Sequence, residues 1–179
     1  MLKCSQTTLG YFFFFFSVFL IFFPHLNYPL CCWQMTPPPA YHIGYADGAS
    51  RWTQNLASAA WALYTPSHEM LHSSGICLGP ATNNQAEYTA VIGLLTDAQH
   101  HHVRHLSVFL DSQLVVLQLN NVYRVRDPCL FCKYLQVRLL TRHFDSITFT
   151  HIPRELNQIT DDIANTVLDW HTSHQTTHT

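Results

Sequence analysis

The feature that most constrains the fold of this chain is a change in the spacing of its apolar residues near Asn83. Before this point, three short segments have the composition and the boundaries of β-strands, with turn signals at Asp47-Gly48 and at Thr65-Pro66-Ser67. After it, apolar residues recur at spacings of three, four and seven, which is typical of a helix with one buried face. The three consecutive strands predict an antiparallel meander, and a helix follows it.

The rest of the chain continues with further strand and helix patterns. Strands are predicted at residues 42–47, 56–64, 70–78, 106–110 and 146–151. Helices are predicted at residues 83–99, 112–119, 129–141 and 157–170. This order of three strands, helix, strand, helices, strand and helix predicts an α/β fold with a mixed sheet.

The length of the chain fits one domain with an extension. A sequence of 179 residues has room for a single domain of ordinary size but not for a second large one. We predict an apolar N-terminal extension with a proline-rich spacer at residues 1–38, a folded domain at 39–171 and a disordered tail at 172–179. The prolines at 37–39 break any helix and place the start of the domain close to them.

The extension contains an almost wholly apolar run, LGYFFFFFSVFLIFF, at residues 9–23. Three interpretations are open: a secretory signal or anchor, a membrane-associated tail, and intergenic sequence translated in error. The run is shorter than the roughly 20 residues of a membrane-spanning helix, and no clear cleavage site follows it. We favour the third interpretation because nothing in the following domain resembles a secreted protein. An intracellular protein, in nucleus or cytoplasm, is therefore expected, with a membrane-anchored or secretory location as the alternative.

Cysteine usage also favours a reduced, intracellular domain. The six cysteines show no regular framework, and three of them lie in the extension. Cys129 and Cys132 form one Cys-x-x-Cys pair, but no second Cys or His pair follows closely at the spacing of a structural zinc site. Neither a disulfide-stabilised fold nor a zinc module is expected.

The charge of the chain excludes nucleic-acid binding through bulk positive potential. The formal net charge is −2 and the pI is about 6.6. Any such binding must therefore be local, and five cations within nineteen residues are the best local candidates, although a solvated helix face explains them equally well. They are Arg124, Arg126, Lys133, Arg138 and Arg142.

Four acidic residues occupy positions where a carboxylate calls for a functional explanation. Asp47 and Asp111 fall at or just beyond the ends of predicted strands. Glu87 lies on the apolar stripe of the first helix, where an uncompensated carboxylate costs free energy. On the last helix, Asp161 shares a face with apolar residues, whereas its neighbour Asp162 shares a face with polar ones. Asp161 is therefore the inward-facing acid of the pair.

Acids that converge on one end of a sheet repel one another, and hard divalent cations such as Mg²⁺ are the simplest compensation. Two such ions about 3.5–4 Å apart can activate a water molecule and stabilise the leaving oxygen of a phosphodiester. The pattern therefore predicts phosphodiester hydrolysis. Each acid also has a purely structural interpretation: Asp47-Gly48 as a turn, Asn84 to Glu87 as a capping box, and Asp111 as a helix cap.

Four segments around these acids occur in the order found in a known family. They are YADGAS at 45–50, TNNQAEYTAVIGLL at 82–95, LDSQLVV at 110–116 and HIPRELNQITDDIAN at 151–165. The chain resembles the ribonuclease H family, in particular its reverse-transcriptase-like plant and retroelement branch. Four segments in order make this resemblance specific, and it covers nearly all of residues 41–170.

The resemblance implies the ribonuclease H fold, a five-stranded mixed sheet flanked by helices. It implies a catalytic site whose four acids also bind two Mg²⁺ ions, with Mn²⁺ as the alternative metal. These acids are Asp47, Glu87, Asp111 and Asp161. The family thus selects the same acid of the Asp161-Asp162 pair as the helix-face argument does.

The resemblance also implies partners and further site residues. The implied substrate is an RNA–DNA hybrid, a polymerase module is a further partner, and the domain is expected to be a monomer that meets a membrane only if the extension is expressed. Residues at positions that contact nucleic acid are Asn84, Gln85, Ser112 and Asn157. For Asn84 and Gln85, helix capping is the alternative. His151 stands near the position of a histidine that assists proton transfer.

Two departures from the family pattern stand out. Many relatives have a glycine-rich turn after the first motif, through which the backbone approaches the RNA strand, whereas this chain has RWTQN at residues 51–55. Thr160 replaces a small alanine next to the last acid. Recognition of the 2′-hydroxyl is therefore expected to differ, while the metal ligands are unaffected.

Three functional hypotheses follow from the sequence. The first is a metal-dependent endonuclease that cuts the RNA strand of RNA–DNA hybrids, as a retroelement-derived domain. The second is a nucleic-acid-binding module of the same fold with weak catalysis. The third is a membrane-anchored interaction domain, which requires that residues 9–23 be expressed.

Overall fold

A five-stranded mixed sheet organises residues 39–175, the part of the chain described by the computed structural model. Its strands are β1 (His42–Arg51), β2 (Leu56–Tyr64), β3 (Met70–Gly79), β4 (His105–Leu110) and β5 (Ser146–His151). They lie in the order β3-β2-β1-β4-β5, in which β2 is antiparallel to both β1 and β3, whereas β4 is parallel to both β1 and β5. The predicted fold class, a three-strand meander with two further strands, is confirmed.

Helices connect these strands and cover the sheet. The α-helices of the described residues are α1 (Asn83–His100), α2 (Gln113–Leu119), α3 (Pro128–Leu140) and α4 (Gln158–Gln175). Short 3-10 turns occur at Trp52–Gln54, Thr141–His143 and Arg154–Leu156. Helix α1 packs on β1 and β2, α3 packs on α1, and α4 packs on β1, β2 and β3.

The two long helices, α1 and α4, lie on opposite faces of the sheet. A side chain at Gly48 of β1 would point into α1, and one at Gly75 of β3 would point into α4. Gly75 pairs with Ala60, which in turn pairs with Asp47, and successive strand residues alternate between the two faces. Asp47 therefore lies on the face that α4 covers, whereas its neighbour Gly48 lies against α1.

Apolar side chains between α1 and the sheet form the main core. Fully buried members include Leu63, Val91, Leu94, Leu106 and Val108. Each such side chain contributes about 1.5–3 kcal/mol by leaving water. The helical spacing predicted for this segment is confirmed, since the buried residues of α1 recur at three, four and seven.

Strand β1 is longer than predicted. The Asp47-Gly48 step was interpreted as a turn signal at the end of a strand, but Asp47 pairs with Ala60 and Gly48 pairs with Ala59 inside the sheet. Pairing with β2 continues to Arg51, because the backbone groups of this stretch find partners along the whole of β2. The turn interpretation is therefore wrong at this position, and Asp47 lies within a strand.

Helix α1 begins at Asn83, as predicted, but the residues that cap it differ from the prediction. The capping box forms between Thr82 and Gln85, since the Thr82 hydroxyl accepts from the Gln85 N–H at 3.3 Å and the Gln85 side chain accepts from the Thr82 N–H at 3.0 Å. The alternative in which Asn84 and Glu87 form this box is wrong. Glu87 is consequently not used in helix capping.

Helix α4 continues beyond the predicted domain boundary at residue 171. It ends at Gln175, so the prediction of a disordered tail from residue 172 is wrong for residues 172–175. No helix-breaking residue interrupts this stretch, and the Thr172 hydroxyl lies within hydrogen-bond distance of the Leu168 carbonyl oxygen (2.8 Å) and the Gln54 side-chain oxygen (3.1 Å). The predictions for residues 1–38 and 176–179 fall outside the described residues.

Within residues 39–175, no helix combines the length and the apolar character needed to cross a membrane.

The contact between β1 and α1 at Gly48 is unusually close. A β-carbon built there would lie 2.2 Å from the Glu87 nitrogen and 2.5 Å from the Ala86 carbonyl carbon. These are main-chain atoms, so they cannot move aside without a shift of the helix. Glycine is therefore required at this position for β1 to reach α1.

We expect Gly48→Ala to destabilise the folded state by about 1–3 kcal/mol, because the added methyl group overpacks a backbone contact. Urea unfolding followed by circular dichroism measures the change. Gly75→Ala is the matched control, since its methyl group would crowd the side-chain methyl groups of Ile163 and Val167, and the nearest main-chain atom, the Ala59 carbonyl oxygen, would lie at an ordinary contact distance of 3.7 Å. Equal losses for the two variants would contradict the backbone explanation.

Candidate active site

Strand β1 continues beyond the last residue that pairs with β4, and three acids lie close together where that pairing ends. The last pair between the two strands joins Ala46 and Leu110, so the next residues, Asp47 and Asp111, lie where the β4 side of β1 is open. Glu87 of α1 lies next to Gly48 and reaches the same opening. Carboxylate oxygens of these three acids all lie within 4.8 Å of one another.

Two of the three acids are almost wholly buried. Asp47 and Glu87 are each 4% exposed. The Asn83 side-chain amide lies 3.5 Å from one Glu87 oxygen, whereas the other, Oε2, is buried without a hydrogen-bond partner. A buried, partnerless carboxylate oxygen is costly unless a proton or a cation compensates it.

The surroundings shift the pKa values of both buried acids upward. Desolvation, followed by the negative charges of Asp111 and Asp161, raises the pKa of Asp47 to about 7. Desolvation, followed by the charges of Asp47 and Asp111, raises the pKa of Glu87 to about 9. The nearby guanidinium of Arg154 opposes both shifts. In the absence of a further cation, the cluster therefore retains protons at neutral pH.

Asp161, the fourth predicted acid, stands at the edge of this cluster. It lies in the first turn of α4 with its side chain 23% exposed, and it forms an ion pair with Arg154. Its charge acts on Asp47, but its oxygens are not part of the group within 4.8 Å. Asp162 is exposed, in agreement with the predicted orientation of the pair. The role of Asp161 as a metal ligand stays a prediction.

Arg154 is a site residue that the sequence did not reveal. It begins the 3-10 turn before α4, pairs with Asp161 and lines the same cleft as Asp47 and Glu87. Its charge partly neutralises the acids. A single cation in the loop between the last strand and the last helix was the available signal, but only the tertiary structure shows that it reaches the acids.

The prediction that Asn157 binds nucleic acid is corrected by the structure. Asn157 is 2% exposed, and its amide nitrogen donates to the Ala46 carbonyl oxygen at 3.1 Å and to an Asp111 carboxylate oxygen at 3.2 Å. Its amide oxygen accepts from the Thr160 hydroxyl at 2.6 Å. The side chain is thus used inside the protein, where it positions Asp111. Thr160, noted as a departure from the family pattern, supports this amide.

Of the other predicted site residues, Ser112 lines the cleft directly. Asn84 and Gln85 lie half-buried in the first turn of α1, and Gln85 is also part of the capping box. His151 ends β5, and its Nε2 lies 3.2 Å from the Asp111 carbonyl oxygen. The roles of these residues in binding or proton transfer stay predictions.

The predicted local cations do not form part of the cleft. Arg124, Arg126, Arg138 and Arg142 are exposed. Lys133 of α3 instead donates to the Thr89 hydroxyl of α1 at 2.8 Å. Their part in nucleic-acid binding stays a prediction.

The acidic cleft has a volume of about 420 Å³ and polar walls. Its carboxylates offer oxygen ligands, and one buried oxygen has no partner among the described residues. Both features fit a hard divalent cation, which prefers oxygen ligands and would compensate the repulsion among the acids. The cleft therefore suits a metal-assisted reaction on a polyanion.

Comparisons with known proteins agree with this site. The family described as reverse transcriptase-like matches residues 45–167. Ribonuclease HI of Halobacterium salinarum is 38% identical over 125 residues, which is 70% of this chain. The matched segment spans 63% of that relative and 34% of three mycobacterial relatives, so the chain covers less than two thirds of the curated relatives.

Solved structures give the same result. The crystal structure of RNase H1 from Halobacterium salinarum matches with a TM-score of 0.70 and 37% identity, covering 72% of this chain and 98% of that one. The structure of LC11-RNase H1 in complex with RNA/DNA hybrid matches with a TM-score of 0.69 and 31% identity, covering 73% and 99%. The chain therefore belongs to the reverse transcriptase-like family of ribonuclease H domains.

Proposed function

We propose that this chain is a metal-dependent endonuclease that hydrolyses the RNA strand of RNA–DNA hybrids. The observation that carries the proposal is the cluster of Asp47, Glu87 and Asp111, which have carboxylate oxygens within 4.8 Å of one another and include a buried Glu87 oxygen without a hydrogen-bond partner. The likeness to a ribonuclease HI, and to an RNase H1 solved with RNA/DNA hybrid, supports this substrate class.

Asp47, Glu87 and Asp111 would hold the metal, with Asp161 as a fourth ligand after it leaves Arg154. Mg²⁺ is the first candidate because it prefers oxygen ligands, and Mn²⁺ is the second. When two ions are bound, they supply an activated water and stabilise the charge that develops on the phosphodiester. The buried acids release their protons to become ligands, since ligands bind in the deprotonated form.

The residues around the acids have separate tasks in this proposal. Asn157 holds Asp111 in place through its amide nitrogen. Arg154 is freed from Asp161 and contacts a phosphate oxygen, for which its planar guanidinium is suited. Ser112, Asn84 and Gln85 contact the backbone or the minor groove of the hybrid at the edge of the cleft. His151, beside Asp111, assists proton transfer.

A nucleic-acid-binding module with weak catalysis is the second candidate. The observation that favours it is the Arg154–Asp161 ion pair, which occupies the fourth carboxylate. The net charge of −2 also indicates modest affinity without a partner. Binding of a hybrid without turnover at millimolar Mg²⁺ would support this candidate over the first.

Several wider aspects belong to the same proposal. We place the protein inside the cell, consistent with the free thiols of Cys77, Cys129 and Cys132 among the described residues. A polymerase module is the proposed partner, because the net charge of −2 indicates modest affinity for a nucleic acid without one. The domain is proposed to act as a monomer.

We expect Asp111→Asn to lower Mg²⁺-dependent cleavage by at least about 100-fold, because it removes a carboxylate ligand while keeping the side-chain shape. Cleavage of a labelled RNA–DNA hybrid by the full-length chain, in Mg²⁺ and in EDTA, measures the effect. Asp162→Asn removes an exposed acid near the site and should cut like wild type. Unchanged cleavage by the Asp111 variant would exclude this site.

We expect the free energy of unfolding in EDTA to fall as pH rises from about 5 to about 9. The pKa of Asp47 is raised to about 7 and that of Glu87 to about 9, so the folded state binds more protons than the unfolded state in this range. Urea unfolding at several pH values measures the slope. Saturating Mg²⁺ should reduce or reverse it, because the cation stabilises the ionised acids.

Glu87→Gln is the test of the cause of this slope. The amide cannot ionise, so the variant should lose most of the pH dependence above about pH 7 and gain stability relative to wild type in EDTA at about pH 9. An unchanged slope in this variant would show that the pH dependence arises elsewhere in the chain.

A further inference from the structure

An exposed indole stands on the short turn between β1 and β2. Trp52 begins this turn and is 89% exposed. Exposure alone indicates little, because single exposed apolar residues are common on soluble proteins. Two further features of Trp52 indicate a binding role: the depression that it lines and the contacts that fix its turn.

Trp52 lines a depression that adjoins the acidic cleft. The depression has a volume of about 230 Å³, and Pro80 and Gln85 also line it. Ser50 and Arg51 line both the depression and the cleft. A nucleic-acid strand that lies over the acids therefore has a path along β1 to the indole.

The turn that carries Trp52 is held on both sides. Arg51 before it forms an ion pair with Asp169 of α4, with Nη1 and Oδ1 2.6 Å apart. Asn55 after it has a left-handed backbone conformation (φ 51°), and its N–H donates to the Trp52 carbonyl oxygen at 3.2 Å. The side chain of Gln54, within the turn, contacts Thr172 of α4. An indole on a fixed turn loses little entropy when it binds.

The charged residues of the cleft offer little attraction for a nucleic acid, so an uncharged contact would add affinity. The two cations that line it, Arg51 and Arg154, both form ion pairs with acids of α4. The carboxylates of the cleft repel phosphates wherever they are ionised and no metal compensates their charge. An aromatic ring adds affinity without charge, because ribose and base faces pack on it.

We propose that Trp52 contacts the RNA strand, with its indole packed against a ribose or base next to the nucleotides in the acidic cleft. The RNA strand is favoured over the DNA strand because the strand over the acids is the one that is cut, and the depression lies beside the acids along β1. This assignment rests on the proposed function and adds a residue that sets affinity in place of the glycine-rich turn of relatives.

The test is binding of a fluorescently labelled RNA–DNA hybrid by the full-length chain in EDTA, followed by anisotropy. Trp52→Ala should raise the Kd for the hybrid by about tenfold, whereas Trp52→Phe should retain most of the affinity. Thr53→Ala changes an exposed neighbour in the same turn and is the matched control, with no expected effect. All variants should have the wild-type Tm, because Trp52 and Thr53 are exposed.

Steady-state cleavage provides a second readout. Trp52→Ala should raise KM by about tenfold and leave kcat within about twofold of wild type, since the indole binds substrate but does not touch the reacting atoms. A fall in kcat with unchanged KM would contradict the proposal.

The outcomes separate this inference from the proposed function. A chain that binds the hybrid but does not cut it contradicts the nuclease proposal, while the effect of Trp52→Ala on Kd still decides the role of the indole. Wild-type affinity in Trp52→Ala, equal weakening in Thr53→Ala, or no binding of hybrid by the wild-type chain would each overturn the inference.

Discussion

The backbone contact between β1 and α1 is the constraint on which the rest of the site depends. Because Gly48 has no side chain, the strand approaches the helix so closely that an added β-carbon would lie 2.2 Å from the Glu87 nitrogen. The two residues next to this contact are the two buried acids, Asp47 and Glu87. Main-chain atoms therefore set how closely the backbones that carry the two acids approach each other.

The burial of these acids lowers the stability of the folded protein when they ionise, and it also creates a site suited to a metal ion. Burial and mutual repulsion raise the pKa of Asp47 to about 7 and that of Glu87 to about 9, so without a cation Glu87 stays protonated at neutral pH and Asp47 is only partly ionised. Asp161 is compensated differently, by its ion pair with Arg154. Without a bound metal, protons and the Arg154 guanidinium therefore compensate part of the negative charge of the acids. The same groups that weaken the folded state when ionised are those that would hold a metal.

Much of the fold follows from local patterns, whereas the fine structure of the site does not. The strand segments and the apolar spacing of α1 could be predicted from the sequence. The face that each residue occupies on α4 also distinguished Asp161 from the exposed Asp162. The family resemblance assigned Asn157 to nucleic-acid binding. Its hydrogen bond to Asp111 could not be predicted, because it joins residues far apart in the sequence. The turn signal at Asp47-Gly48 failed because pairing with β2 outweighs local preference.

Helix α4 serves two tasks at its two ends. Its first turn presents Asp161 to the acids, and its last turns hold the β1–β2 turn through Asp169 and Thr172. Both of these latter residues lie beyond the segment matched by the family, which ends at residue 167. The part of the helix that anchors this turn therefore lies outside the matched segment. Under the roles proposed for Trp52 and the acids, substitutions in the last turns would alter substrate affinity and leave the chemistry intact, so a single helix would allow the two properties to diverge independently.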